Sequence, residues 1–320
     1  MTDELKSEYD VVVIGGGAAG LSGALTLARA RRSVVVLDAG EPRNAPAEGV
    51  HALLGREGIA PADLLELGRV EVRGYGGRVV RAEVTGVARN GDGFAVTVAD
   101  GSTVQARRIL LTTGLVDELP DIPGLRERWG RDVIHCPYCH GWEVRDKAIG
   151  ILATGAEAVH KALLLRQWSS DITLLCHSTE APSGEAAEQL TARGIRVVTG
   201  VVTGIDTVDD RLQARLADGT LVPLEALVVA PRMVARSGLL SALGLHAVEH
   251  PSGMGEQVPA DPTGRTAAPG VWAAGNVTDI IAQVGTAAAA ATFAAAQLNA
   301  DLVLEDTDRA VAAQRERVSV

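Results

Sequence analysis

Cys136-Pro137-Tyr138-Cys139, followed directly by His140, sets two thiols about one helical turn apart beside an imidazole. Cysteines at that spacing can close a disulfide and reopen it, and a neighbouring base can hold one of them as the thiolate that performs exchange. Thiol redox chemistry is therefore the first expectation. Two other patterns share these residues. Cys-x-x-Cys-His is also the attachment motif of c-type haem, but that chemistry belongs to exported proteins, and Met1-Thr2-Asp3-Glu4 has neither a basic flank nor an apolar signal segment. His135 adds zinc as an option, yet two cysteines and two histidines between positions 135 and 140 are too crowded to close one tetrahedral metal. No metal is expected.

The elements around this motif repeat one plan twice. Residues 9–14 read as a buried strand, Gly15-Gly16-Gly17-Ala18-Ala19-Gly20 opens a helix that runs to about Arg31, and Ser33 to Leu37 is a second strand ending at Asp38. Glycines at 15, 17 and 20 let the backbone approach a pyrophosphate while the helix N-terminus faces its charge, and Asp38 stands where a carboxylate binds a ribose hydroxyl. Strand, glycines, helix, strand and terminal acid together predict dinucleotide binding. Val79 to Val98 then reads as paired strands broken at Asn90-Gly91, Asp100-Gly101 makes the next turn, and a strand runs to Thr112-Thr113-Gly114.

The second copy begins with a strand from Ala148 to Leu152, turns at Ala153-Thr154-Gly155, and continues as a helix to about Trp168 and a strand from Ile172 to Leu175. Asp218-Gly219 corresponds to Asp100-Gly101, and Leu227-Val228-Val229-Ala230 to Leu110-Leu111-Thr112-Thr113. The cysteine pair lies in the link between the copies. The predicted division is a discontinuous first domain, 1–115 and 243–320, with 116–242 inserted. The first domain resumes with the buried strand in Pro269-Gly270-Val271-Trp272-Ala273-Ala274-Gly275-Asn276 and closes with an alanine-rich helix from roughly Gln283 to Leu304.

Composition sets the context. A chain of 320 residues with 47% hydrophobic content can bury the cores of about two domains. Three cysteines are too few for a secreted disulfide framework, so the expected location is the cytoplasm. The most apolar run, Gly285 to Leu298, falls short of the roughly 18 residues of a spanning helix, so no membrane segment is expected. Thirty basic against forty acidic residues give a net charge of −10 without a lysine-rich block, which argues against nucleic acid.

These motifs, taken in order over nearly the whole chain, resemble the thioredoxin reductase family of flavoproteins. The resemblance implies an α/β architecture of two Rossmann-like three-layer nucleotide-binding domains, FAD in the first, and a homodimer. It assigns Gly15, Gly17, Ala18, Ala19, Gly20 and Asp38 to the adenosine and pyrophosphate, Gly275, Asn276, Gln283 and Val284 to the ribityl chain and flavin ring, and adds Gly114 and Asn44 as contacts. Position 276 is usually aspartate in the family; asparagine keeps a hydrogen-bonding side chain and loses a charge, so FAD binding is expected to survive.

The second nucleotide motif departs further. Its Gly-x-Gly-x-x-Ala becomes Ala153-Thr154-Gly155-Ala156-Glu157-Ala158, with a methyl group where the first glycine makes the tight turn. Where family reductases carry a His-Arg-Arg run for the 2′-phosphate of NADPH, this chain has Cys176-His177-Ser178-Thr179-Glu180. Arg166 or Arg193 reaching in from elsewhere would rescue NADPH binding. Without it, electrons run from a dithiol through Cys136/Cys139 to FAD and on to O2, a pattern that resembles the dithiol oxidases closing disulfides in gliotoxin, holomycin and romidepsin. The resemblance makes Cys136 the sulfur attacked by a small-molecule dithiol, Cys139 the thiolate beside the flavin, and His140 the group that takes a proton from the incoming thiol or stabilises Cys139. Pro137-Tyr138 matches a glutaredoxin active site, whose potentials of about −200 to −230 mV are more oxidising than thioredoxin's. A reductase of thioredoxin-like proteins and a non-catalytic redox sensor are the competing readings. Cys176 is expected to be a core side chain, His51 a partly exposed structural histidine rather than one lining the substrate side of the flavin, and Arg126-Glu127-Arg128 a solvated helix face.

Overall fold

The computed structural model describes residues 4–318, which form two compact units. Residues 4–45, 62–116 and 233–318 make the first; 46–61 and 117–232 make the second. The sequence places the boundaries near 115 and 243 and gives the second unit no part of the N-terminal segment. The 46–61 loop groups with the second unit because it packs there: a β-carbon on Gly130 would lie 2.5 Å from that of Pro46. Residues 233–242 group with the first because Leu240 is fully buried in its core beside Phe94 and Val258.

In the first unit, strand β1 (Glu8–Ile14), helix α1 (Ala18–Arg29) and strand β2 (Val34–Asp38) form one crossover, with β1 and β2 paired in parallel, Val11 opposite Val34 and Ile14 opposite Leu37. The parallel core runs Arg78–Arg81, β2, β1, Thr103–Leu111, Val271–Ala273; Val84–Asn90 and Gly93–Val98 join antiparallel, completing seven strands. Val11, Val12 and Val13 are fully buried, each worth roughly 1.5–3 kcal/mol of transfer free energy, which is why β1 reads as an unbroken apolar run rather than an alternating one.

The closing helix is Val284–Val318, ending well past Leu304, where the apolar signal stops. By length and composition it could span a bilayer. Its Ala287, Ala291, Ala294, Ala295, Leu298 and Leu302 are instead built into the core with α1. Its acids are also tied to the sheet, Asp301 and Glu305 to Arg108 at 2.7 and 2.6 Å, and Asp306 to Arg32 at 2.6 Å. That ladder of ion pairs carries the helix beyond Leu304, where hydrophobic periodicity stops.

In the second unit the parallel sheet runs Arg196–Val198, Ile172–Leu175, Ile149–Leu152, Ala226–Val228, Val133–Ile134. An antiparallel sheet of Val202–Val208, Arg211–Leu216 and Leu221–Leu224 packs with it. The repeat extends to turn chemistry. Asp100 and Asp218 each accept the backbone N–H two residues on, at 2.8 and 2.9 Å, and Gly101 and Gly219 adopt φ of +86° and +88°.

The Arg126-Glu127-Arg128 expectation is corrected. Arg126 and Glu127 are exposed, but Arg128 is buried, paired with Asp132 and held at 2.9 Å by Asp210. The acids that draw it inward lie 4 and 82 residues away, and the distant one is invisible to local pattern.

Candidate functional site

The cysteine pair sits where a parallel strand ends. Val133–Ile134 delivers His135 and Cys136 at its carboxyl end, and Pro137, with its φ preset for the first helical position, starts the turn Pro137–His140. The N–H groups of Cys139 and His140 both donate to Cys136 O at 3.2 Å, which brings the two cysteines to a Cα separation of 5.3 Å in a disulfide. Trp168 supports the turn from below. Its ring meets Tyr138 edge-on at 5.7 Å, and a β-carbon on Gly141 would lie 2.9 Å from it. Tyr138 and Trp142 are exposed, and Trp142 is stacked by Arg145 at 4.1 Å.

His140 differs from the other residues of the turn. Both ring nitrogens are buried and neither has a hydrogen-bond partner. Burial pushes its pKa below the ordinary histidine value, a charge on His51 acts in the same direction, and the Glu143 carboxylate opposes both. A neutral imidazole with no competing donor or acceptor can receive a thiol proton. The ring makes no hydrogen bond to the backbone. Cys176 is buried and free, and burial raises its thiol pKa, the behaviour of an inert core side chain. His51 is half-buried, but its Nδ1 lies 2.7 Å from Glu57 and its Nε2 3.6 Å from Glu143.

The first unit builds a cradle for a phosphate ester. Gly15 has φ of +101°, and a β-carbon there would lie 2.4 Å from Thr112 O; one on Gly20 would lie 1.9 Å from Gly15 O. No side chain fits either position. Gly17 opens to free space, so the N-terminus of α1 beginning Ala18-Ala19 is approachable. Thr112 Oγ1 pins the loop by donating to Ile14 O and Gly15 O at 3.0 and 2.9 Å, a role the sequence does not signal. Asp38 accepts from the N–H groups of Gly16 and Gly40 at 3.1 and 3.2 Å. Beside it Ala39, Glu41, Arg81, Ala82 and Glu83 line a cavity of about 390 Å³, and the sequence did not single out this wall from Arg81 to Glu83.

At the other end of the sheet Gly275, at φ of +82°, closes against Ala19, where a β-carbon would lie 2.8 Å away. Asn276 Nδ2 donates to Asp279 O and Ala282 O at 3.0 and 2.9 Å, so the amide holds the loop that leads to Gln283 and Val284 at the start of the last helix. Gly114 sits just past its strand at φ of +68°, where its O accepts from Arg236 N, and Asn44 lies in a half-buried turn.

The comparisons with known proteins agree with this arrangement. The family model described as pyridine nucleotide-disulphide oxidoreductase matches residues 9–291. The chain belongs to the pyridine nucleotide-disulphide oxidoreductase family. Thioredoxin reductase tcpT of Claviceps purpurea is 32% identical over 92% of this chain and 95% of its own, and thioredoxin reductase sirT of Leptosphaeria maculans is 30% identical over 92% and 94%. The crystal structure of HlmI is similar with a TM-score of 0.91 at 46% identity, covering 99% of this chain and all of that one.

As a thioredoxin reductase-like member of that family, the protein is an FAD-dependent thiol/disulfide oxidoreductase. The residues of the first unit fit the cofactor. Two positions admit only glycine, a helix N-terminus is unobstructed, and a carboxylate is fixed at the end of β2.

The family's second nucleotide motif is altered in this oxidoreductase. Ala153 is buried and its turn lacks the positive φ of Gly15. The Glu157 carboxylate lies over Gly155, where a β-carbon would meet its Oε2 at 2.6 Å. After the strand Ile172–Leu175, His177 Nδ1 accepts from Val202 N at 3.1 Å, so its ring is committed to the fold. Arg166 is bound to Arg193 O and Ser169 O at 2.9 and 3.3 Å, at the far end of the helix Ala158–Leu165 from the motif. Lys161, on the same helix, has its Nζ buried without a hydrogen bond, and burial lowers its pKa against the opposing charge of Glu157.

Proposed function

We propose that the protein is a dithiol oxidase that converts a small-molecule dithiol to an intramolecular disulfide, with O2 as the final acceptor. The second nucleotide motif carries this reading. Its turn is filled by Ala153 and Glu157, so a pyrophosphate would meet a carboxylate there, while Cys176 to Glu180 offers a 2′-phosphate no arginine and Arg166 is bound elsewhere.

The chain's own residues then act in sequence. His140 takes the proton of the first substrate thiol. The resulting thiolate attacks Cys136 Sγ, the Cys136–Cys139 bond breaks, and Cys139 leaves as a thiolate. The second substrate thiol loses its proton to solvent and attacks the substrate sulfur bonded to Cys136, so a cyclic disulfide departs and Cys136 is released as a thiolate. Two protons and one electron pair have left the substrate. The chemistry supplied by bound FAD is uptake of that electron pair and its transfer to O2, giving H2O2. A homodimer in the cytoplasm, with the second unit as the carrier of the redox pair, belongs to the same reading.

The second reading, an NADPH-dependent reductase of thioredoxin or a thioredoxin-like protein, is favoured by the names of the relatives tcpT and sirT. Anaerobic stopped-flow absorbance separates the two. Bleaching of the flavin band by a small dithiol alone, with peroxide on admission of air, is the expected outcome. Fast bleaching by NADPH overturns it.

A further inference from the structure

We propose that Glu143 is a counter-charge shared by two imidazoles, that of His140 beside the disulfide and that of His51 from the 46–61 loop, so that His51 and Glu143 are positioning residues for proton transfer at Cys136/Cys139. This rests only on thiol/disulfide exchange at the pair, which both readings above have in common.

His140 ends the helical turn Pro137–His140, and Glu143 stands three residues on, inside the bonded turn from His140 to Val144. Gly141 N donates to Pro137 O at 2.7 Å and Val144 N to His140 O at 3.3 Å, which places positions 140 and 143 on the same face. Glu143 meets His51 Nε2 at 3.6 Å. His51 cannot turn away freely. Its Nδ1 is held at 2.7 Å by Glu57, whose other carboxylate oxygen accepts from Ala52 N at 2.9 Å, and Ala52 itself adopts a φ of +57°. A loop some ninety residues upstream in sequence is thus tied to the turn that bears the cysteines.

The proton balance follows. When His140 accepts a proton from a thiol, a cation forms at a ring with no hydrogen-bonded partner. The Glu143 carboxylate, on His140's own turn, is the charge that favours it. His51, from the loop packed against that turn, opposes it when charged and also pairs with the same carboxylate. The carboxylate is shared, so a cationic His51 weakens His140 as a proton acceptor.

The test is the titration of the His140 ring in the oxidised, flavin-loaded protein labelled with 13Cε1-histidine, its signal assigned by loss in His140→Asn. In this state the cysteines do not titrate, so the readout is independent of turnover. Glu143→Gln is expected to lower the His140 midpoint by on the order of half a unit, the scale of one partly exposed neighbouring charge. His51→Asn is expected to raise it, and Glu143→Asp to restore it towards the parent. Opposite signs are the signature, since general loosening of the turn moves both variants the same way. An unchanged midpoint in Glu143→Gln, or any other pattern of signs, overturns the proposal. Flavin bleaching by NADPH would overturn the dithiol oxidase reading and leave this one standing.

Discussion

The two nucleotide motifs of this chain are one strand–turn–helix plan with opposite interiors. In the first, Gly15 and Gly20 leave room that a single β-carbon would take, and Gly17 faces open space. In the second, Ala153 occupies the position of Gly15, and the Glu157 carboxylate covers Gly155. Both keep a parallel sheet and a following helix, so the scaffold does not depend on the ligand. What separates the two turns is which side chains are absent.

Moving the second motif's residues into the first gives the largest expected effect. Gly20→Ala, which copies Ala158, puts a β-carbon 1.9 Å from Gly15 O, and the purified protein is expected to lose its flavin. The ratio of flavin to protein absorbance measures this; a variant that stays yellow means the loop relaxes and the comparison fails. Next is the contrast in electron donors. Hydrogen bonds to charged groups contribute about 1.5–3 kcal/mol each, so the missing phosphate contacts should make NADPH slower than a dithiol by on the order of a hundredfold in anaerobic flavin reduction. Glu157→Ala alone should not restore NADPH, because the Ala153 turn remains.

A smaller effect is expected at Asn276. Asn276→Asp would aim a carboxylate at the carbonyls of Asp279 and Ala282 in place of a donor, at a cost of roughly 1–3 kcal/mol, read as a lower melting temperature. The smallest concerns pH. The pKa of His140 is held below its unfolded value mainly by burial, so the folded protein binds fewer protons there than the unfolded chain. That group's contribution to stability is full above the unfolded pKa of about 6.5 and is lost as pH falls through that value towards the folded one. For the same reason the rising limb of dithiol-driven flavin reduction should lie on the acid side of about 6.5. A limb on the alkaline side would remove His140 as the base.

The pieces that were legible in the sequence share a property. The Gly15-to-Asp38 crossover, the Asp-Gly turns and the Cys136–Cys139 spacing are local, and each is set by backbone conformations that only certain residues adopt. What escaped is long-range. Arg128 reads as a solvated charge until Asp210 arrives from 82 residues away. The last helix reads as ending near Leu304 until Arg32, Arg107 and Arg108 pair with its acids. His51 reads as a bland loop histidine until folding brings Glu143 within 3.6 Å.

By itself, then, the sequence determined the two-fold α/β plan, the cofactor class and the thiol chemistry, because glycine freedom and a two-residue cysteine gap are properties of neighbouring atoms. Tertiary structure decided which charges meet. It left His140 without a hydrogen bond and brought Glu143 to His51 from some ninety residues away. The reason is range. Steric limits on φ and ψ act within a few residues, whereas burial and Coulomb interactions depend on groups that only the folded chain brings together.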